Sequence, residues 1–405
     1  MISFTPTDEQ MQLQATARRF AQDRVLPLAL KAYAERMPHE AVWDAARPIV
    51  EEGVALGFTH MLIPAEHGGL GLSCMDAVLV LEEIGAADVG LASDAFSLTM
   101  CMPLMWVRGG TPEQAQAFLR DFLASPAMML AGAQSEPNVA GSELMMAGPD
   151  PAYGPKLKAH RDADGWLLTG DKSAFITNAG VAEHYIILAR SDATKPVMGG
   201  LSAFHVPADT PGLSVGRDTE LIGWPLTHHA PLSFDGVRLP AGALIGPEGG
   251  AGMLFAQLPE MPVCLAACFV GLGRAALDLA IGYAKTRASI GRPIAQHQAV
   301  ALKIAEMGRE LHAARLMVWD AAAACASDPM RAAMFSGPAA KAKAVDVAIR
   351  NAQLAIEVLG AYGITREYGA GRLLDDAMIG YSCDFTREVL HLGLAQVLCG
   401  DGPQP

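Results

Sequence analysis

The sequence predicts an α+β chain in three parts. An N-terminal α-helical domain covers residues 1–128, a middle antiparallel β-barrel or sandwich covers 129–243, and a C-terminal helical bundle covers 244–405. Three observations carry this. Helix-capping signatures and helical periodicity fill the first third. Near Met128 the pattern changes to short runs rich in β-branched and aromatic residues, separated by Gly and Pro turns. After Gly250 the chain becomes Ala-rich and regains the periods of long packed helices.

Thr7-Asp8-Glu9-Gln10 has the spacing of a capping box, so a helix starts there and runs towards Asp23. Pro64–Ser73, with three glycines that permit positive φ, reads as a loop. Met75–Ile84 resumes helical periodicity. Thr111-Pro112-Glu113-Gln114 supplies an N-cap, a proline at the first helical position and a reciprocal cap. Trp166–Thr169, Phe175–Thr177, His184–Arg190, Leu201–Pro207 and Leu232–Leu239 read as strands. Asp164-Gly165, Gly199-Gly200, Pro211-Gly212 and Asp235-Gly236 read as the turns between them. Val263 to Ser289 and Ala339 to Leu359 have the periods of long helices, with breaks near Gly291-Arg292-Pro293, Ser327–Pro329 and Ser336-Gly337-Pro338.

A chain of 405 residues is long enough for roughly two to three domains with buried cores. Half of it is hydrophobic and only 18% is charged, which is the composition of a globular protein. A net charge of −13 and a pI near 5.3 argue against a nucleic-acid binder, which needs a basic face. The seven cysteines form no Cys-x-x-Cys pair, so neither a disulfide framework nor a metal site is indicated. Cys264 and Cys268 are four apart in an apolar run and are expected in a helix core. The start Met-Ile-Ser-Phe-Thr-Pro-Thr-Asp-Glu lacks the basic and apolar regions of a signal peptide. The apolar run Val263–Leu272 is too short to span a bilayer. The expectation is a soluble, cytoplasmic protein with no membrane partner.

Three stretches bear on chemistry. Gly271-Leu272-Gly273-Arg274-Ala275-Ala276 looks like a truncated dinucleotide fingerprint, but it lies inside a helical run with no strand before it. Its glycines are read as sites of close helix packing. Ala133–Glu143 is a polar, glycine-containing loop whose backbone amides around Gly141-Ser142 suit phosphate oxygens. Gly170–Gly180 sets Phe175, Ile176, Thr177 and Asn178 between two glycines. By itself it fits either a plain hairpin with Phe175 and Ile176 in the core, or an aromatic wall with polar donors for a flat, polar-edged ligand.

The order of these motifs resembles the acyl-CoA dehydrogenase family from end to end. The family's Thr-Glu-Pro…Gly-Ser-Asp loop matches Ser135-Glu136-Pro137…Gly141-Ser142-Glu143 with one extra residue between. Its Gly-x-Lys-x-Trp-Ile-Thr-Asn element matches Gly170–Asn178, with Phe175 in place of Trp. Its Arg-x-x-Phe-Gly and downstream Gln match Arg287–Gly291 and Gln298, and its glycine-rich Gln-x-x-Gly-Gly-x-Gly matches Glu357–Gly363.

The resemblance implies FAD as cofactor. By that match Gln134, Ser135, Gly141, Ser142, Phe175 and Thr177 line one side of it. Arg287, Gln298, Gly360 and Gly363 hold its pyrophosphate and adenine ends, with Thr386 and Glu388 nearby. An arginine fork grips two phosphate oxygens, although a helix-terminal Arg287 also fits a surface ion pair. In the family the Arg and Gln reach the FAD of a neighbouring subunit, which implies a homo-oligomer, a tetramer or a dimer. An acyl-CoA is the implied substrate and an electron-transfer flavoprotein the implied acceptor.

The family chemistry is α,β-dehydrogenation of an acyl-CoA thioester. A carboxylate takes the α-proton and hydrogen bonds to the thioester carbonyl stabilise the developing enolate. In many members the base is the Glu of Tyr-Glu-Gly-Thr. That element is Cys383-Asp384-Phe385-Thr386 here, so Asp384 is the candidate catalytic residue, one methylene shorter, and Phe385 replaces the glycine. Phe385 is expected to crowd the pocket or redirect the acyl chain, against a long straight tail. The family's active-site Arg falls on Pro262, and an alternative Glu position falls on Met261, with Glu260 one residue away. Candidate substrate-pocket residues are Asp94, Ser142, Glu260 and Phe385; Asp94 also fits a helix cap or exposed turn, and Glu260 a surface position. These departures keep two other functions open: a flavin oxidase or elimination enzyme of the nitroalkane-oxidising kind, and a catalytically silent FAD-binding subunit.

Overall fold

The computed structural model describes residues 5–139, 141–146 and 148–400. Met1–Phe4, part of the segment read as lacking signal-peptide features, and Ala140 of the polar loop lie outside the described residues.

The N-terminal part is helical, and its ends are set by the capping residues. Thr7 Oγ1 accepts from Gln10 N and Gln10 Oε1 accepts from Thr7 N, opening α1 (Asp8–Phe20). The expected stop near Asp23 does not occur. A π-helical turn, Ala21–Val25, carries the chain into α2 (Leu26–Glu35), and Pro27 falls in the first turn of α2, where a missing N–H is tolerated. After α3 (His39–Ala55), the loop at 64–73 turns through Gly68 and Gly71 at φ 88° and 60°. Next come α4 (Cys74–Ala87), a second π-helical turn (Ala92–Leu98) and α5 (Leu104–Gly109). The Thr111–Gln114 capping box opens α6 (Pro112–Ala124), as its spacing predicts.

Eight strands then form one sheet: β1 (Leu130–Ala133), β2 (Lys158–Arg161), β3 (Gly165–Thr177), β4 (His184–Arg190), β5 (Leu201–Pro207), β6 (Leu213–Val215), β7 (His229–Pro240) and β8 (Leu244–Ile245). Their order is β6-β7-β3-β2-β4-β5-β8, with β1 added to β4. Most pairings are antiparallel, as expected, but β4 runs parallel to both β1 and β2, so the sheet is mixed. Two predicted breaks are absorbed into strands. Trp166–Thr169 and Phe175–Thr177 belong to the single 13-residue β3, because Gly170 (φ 134°) permits a register shift instead of a turn. Asp235-Gly236 lies inside β7, with Gly236 at φ 64°.

The C-terminal part comprises α9 (Glu260–Thr286), α10 (Gln298–Ser327), α11 (Gly337–Leu359), α12 (Ala370–Ile379) and α13 (Arg387–Cys399). Two short helices precede them, α7 (Gly141–Met146) and α8 (Ala251–Ala256). Gly271 does what its sequence setting predicts. A Cβ there would stand 2.2 Å from Glu82 O of α4, and one on Gly85 would stand 2.3 Å from Cys268 O. The two helices therefore cross at backbone contact, a separation no larger residue allows. Cys264 and Cys268 are buried at this crossing, as expected. By length and composition α9 is apolar enough to cross a bilayer, a point the shorter run Val263–Leu272 conceals, but 67% of its most apolar window is buried inside the protein. It is the central core helix.

One amide ties the site to this frame. Asn178 Nδ2, at the end of β3, donates to Asp94 O of the second π-helical turn and to Leu130 O of β1. The end of β3, the start of the sheet and the N-terminal helices are thus held at one point.

Candidate active site

A cavity of about 110 Å³ opens where the three parts meet. Its lining is mixed: Ser93, Asp94 and Ser97 come from the π-helical turn, Gln134 follows β1, Thr177 ends β3 and Asp384 comes from the segment after α12, while Met102, Met105, Trp224, Met261 and Leu265 are among its apolar residues.

Asp384 stands in the wall. Its surface is open to the cavity, yet protein surrounds it, and this desolvation pushes its carboxyl above the usual range while the Lys341 ammonium opposes the shift. Asp384 and Phe385 both adopt left-handed conformations, at φ 47° and 71°. Both are conformations that non-glycine residues rarely adopt, at a cost of order 1 kcal/mol each. Lys341 holds it there. Its Nζ, on a side chain from α11 in a residue that is 2% exposed, donates to the carbonyls of Gly380, Cys383 and Phe385 at 3.2, 2.7 and 2.8 Å. Sequence reading missed Lys341. Its signal is a lysine within the Ala-rich face of a helix that buries, besides it, one asparagine and otherwise small or apolar residues.

Asp94 is neither a helix cap nor an exposed turn residue. It is 3% exposed in the cavity wall, and burial pushes its carboxyl well above the usual range. Its Oδ2 lies 3.5 Å from Nε2 of the buried His229, another residue the sequence did not flag.

The remaining pocket candidates lie elsewhere. Glu260 is buried, but both of its oxygens accept from Arg108 at 2.7 Å, and Arg108 also donates to Gln257 O. That pair turns Glu260 out of the cavity wall and puts Met261 into it. Phe385 points towards the polar loop, where its Cδ1 lies 3.5 Å from the position a Cβ on Gly141 would take, and not into the cavity. Ser142, in the first turn of the short α7, is also outside the cavity wall.

The residues assigned to FAD fall into three groups. Ser135 shares a 2.6 Å hydrogen bond with Ser173, and the adjacent Glu136 forms a buried ion pair with Lys172 at 2.9 Å. Lys172 also donates to Gln134 O, so the start of the polar loop is clamped onto β3 beside Thr177. Phe175 is 63% exposed while Ile176 is 1% exposed, so the hairpin-core reading fails for the phenylalanine and holds for the isoleucine. In the second group, Arg287 forms no ion pair among the described residues and lies 5.9 Å from the Tyr362 ring. Exposed Gln298 begins α10, and Gly360 (φ 62°) has open space where a Cβ would be. Gly363 differs, since a Cβ there would meet Ile356 O at 2.4 Å; its contact is with α11. In the third group, the Thr386 hydroxyl caps α13 by accepting from Val389 N, and Glu388 is bound by Arg387.

The donor set fits a flavin dinucleotide. A threonine lines a cavity that holds a carboxylate, an exposed aromatic stands two residues before that threonine, and an arginine without an ion pair among the described residues suits a diphosphate. Ile290, Leu302 and Ile364 beside that arginine and glycine are 90%, 71% and 80% exposed.

Family profiles match the chain in tandem: the acyl-CoA dehydrogenase N-terminal domain over residues 7–125, the middle domain over 131–237 and the C-terminal domain over 248–398. Mitochondrial isobutyryl-CoA dehydrogenase of Dictyostelium discoideum is 32% identical over 397 residues, covering 98% of this chain and 90% of that protein. Butyryl-CoA dehydrogenase of Megasphaera elsdenii has the same fold at a TM-score of 0.88 with 27% identity, over 98% of this chain and 100% of that one. A structure described as the FAD complex of PigA aligns at a TM-score of 0.86 with 25% identity, over 99% of this chain and all of that one.

Proposed function

The chain belongs to the acyl-CoA dehydrogenase family, and from that premise we propose that it uses FAD to dehydrogenate an acyl-CoA thioester with Asp384 as the base. The position of Asp384 in the wall of the cavity that Gln134 and Thr177 also line supports the reading.

Bound FAD supplies the acceptor for the β-hydrogen and its electron pair. The α-proton goes to a carboxylate, and desolvation makes Asp384 the stronger base for it. Lys341 fixes where that carboxylate stands. Glu260 takes no part, because its two oxygens are engaged by Arg108. The small cavity, closed by Met261, Leu265 and Trp224, favours a short, branched or cyclic acyl group. Phe175, Thr177 and Gln134 would hold the ring system of the cofactor, and the exposed Arg287 and Gln298 would serve the cofactor of a neighbouring subunit. This arrangement and the exposed Ile290 and Ile364 support a homo-oligomer. An electron-transfer flavoprotein is the proposed acceptor.

The test is anaerobic mixing of the yellow protein with linear, branched and cyclic acyl-CoAs. Bleaching reports flavin reduction, and reoxidation by air rather than by a flavoprotein would mark an oxidase. Asp384→Asn should lose bleaching by at least about a thousandfold while retaining FAD, and Glu260→Gln should keep it. Bleaching that survives in Asp384→Asn would move the base role to Asp94.

A further inference from the structure

Trp224 lines the cavity in a left-handed backbone conformation, φ 55°, that a bulky residue rarely adopts. Asp376 of α12 fixes it there. The Asp376 Oδ1 accepts from Trp224 N at 2.7 Å, and the Asp376 backbone carbonyl accepts from Trp224 Nε1 at 2.9 Å. The slot around the residue is tight. A Cβ on Gly90 would stand 2.8 Å from Trp224 Cβ, and one on Gly223 would stand 2.7 Å from Asp376 N and Oδ1. The indole also packs near Phe269 of α9, with ring centroids 6.2 Å apart.

Asp376 belongs to a buried cluster of charges with Asp88 and Arg372. Arg372 Nη1 donates to Asp376 Oδ2 at 3.1 Å and lies 3.8 Å from Asp88 Oδ2. Asp88 Oδ1 accepts from N of Leu91, the last residue before the π-helical turn Ala92–Leu98. One cluster thus holds two parts of the cavity wall, Trp224 and the turn that carries Ser93, Asp94 and Ser97. Apolar residues of similar volume often stabilise a core as well as buried ions do. What these ions add is direction, in hydrogen bonds aimed at Trp224 and at the start of the turn.

We propose that Trp224 sets how long an acyl group the cavity accepts, and that Asp376 is its positioning residue. The proposal rests on the acyl-CoA reading of the cavity. With the indole in place, an added methylene meets a buried side chain that cannot move aside without breaking its hydrogen bonds to Asp376. With the indole gone, each added methylene is buried instead, which tightens binding by about fourfold.

The experiment is calorimetric titration of the FAD-loaded protein with butanoyl-, hexanoyl- and octanoyl-CoA. The parent should bind octanoyl-CoA no more tightly than butanoyl-CoA. Trp224→Gly, in which glycine takes φ 55° without strain, should bind hexanoyl-CoA about tenfold more tightly than butanoyl-CoA. Asp376→Ala releases the indole and should shift the ratio the same way by at least about threefold. Asp376→Asn keeps an acceptor for Trp224 N and should keep the parent ratio. If Asp376→Ala does not fold, Gly223→Ala carries the test, because its Cβ would push Trp224 and Asp376 apart. A parent whose affinity climbs steadily with chain length, or an unchanged ratio in Trp224→Gly, would overturn the role of Trp224. The parent ratio retained in Asp376→Ala or Gly223→Ala, with only a lower melting temperature, would overturn the positioning role of Asp376. No binding by the whole panel would overturn both. Flavin bleaching by the same thioesters is read separately. A length cut-off that Trp224→Gly removes, without bleaching, would leave the proposal standing and sink the dehydrogenase reading. Bleaching without any cut-off would do the reverse.

Discussion

On the proposed role of Asp384 as the base, removing the ammonium of Lys341 should move that base without removing it. The side chain bonds three carbonyls, at 2.7, 2.8 and 3.2 Å, around a segment in which two consecutive residues have positive φ. Those two conformations together cost about 2 kcal/mol. Three hydrogen bonds from a buried charged donor, at about 1.5 kcal/mol each, come to about 4.5 kcal/mol. The bonds exceed the strain, so Lys341→Met should let Asp384 and Phe385 relax out of the left-handed region. A shift of about 1 Å at a catalytic group costs on the order of a hundredfold in rate. Lys341 also holds down the carboxyl of Asp384, so without it the pKa of Asp384 rises further and the base is active only at higher pH. The assay is the pH profile of the anaerobic bleaching rate. The variant should be about a hundredfold slower, its rising limb should move to higher pH, and its FAD content should match that of the parent. A rate within about twofold of the parent, with an unmoved limb, would refute the argument, because a purely structural lysine could lower the melting temperature without moving the limb.

Lys172→Met leaves Glu136 buried without its cation, which should lower stability by about 3–5 kcal/mol and weaken FAD retention; chemical unfolding and flavin release measure the two effects. Asp376, fully buried beside Arg372, has its carboxyl pushed up to about 7 chiefly by desolvation. Because the folded state holds that proton more tightly than the unfolded chain, whose value is about 3.9, its stabilising contribution is complete below about pH 4 and is lost as the pH rises to about 7. Asp376→Asn should flatten the fall of stability over that range by at most about 1.4 kcal/mol per pH unit, read from melts in a pH series.

What the sequence determined by itself is local. Capping boxes at Thr7 and Thr111, glycines that interrupt a loop and the change from helical to alternating patterns all depend on neighbours a few residues apart, and they located the helices and the sheet, while the cofactor motifs came from the resemblance to the family. The same logic failed at Gly170 and Gly236, where a glycine permits either a turn or a kinked strand and the partner strand decides. The segment proposed to carry the base, Cys383–Thr386, could be picked out because it is contiguous.

The tertiary structure decided which carboxylates face the cavity. Glu260 is neutralised by Arg108, 152 residues earlier in the chain, and a single sequence cannot tell which of its many arginines will arrive there. Asp94 sits in a segment whose apolar residues fit a buried helix or a turn, and only the packing of Asn178 across it sets the answer. Phe385 was expected to crowd the pocket, yet its left-handed backbone turns the ring towards Gly141, because the conformation of the segment is held by Lys341 from another helix. Periodicity reports which face of an element is buried; it carries no information about the element that buries it, and the chemistry of this site depends on that second fact.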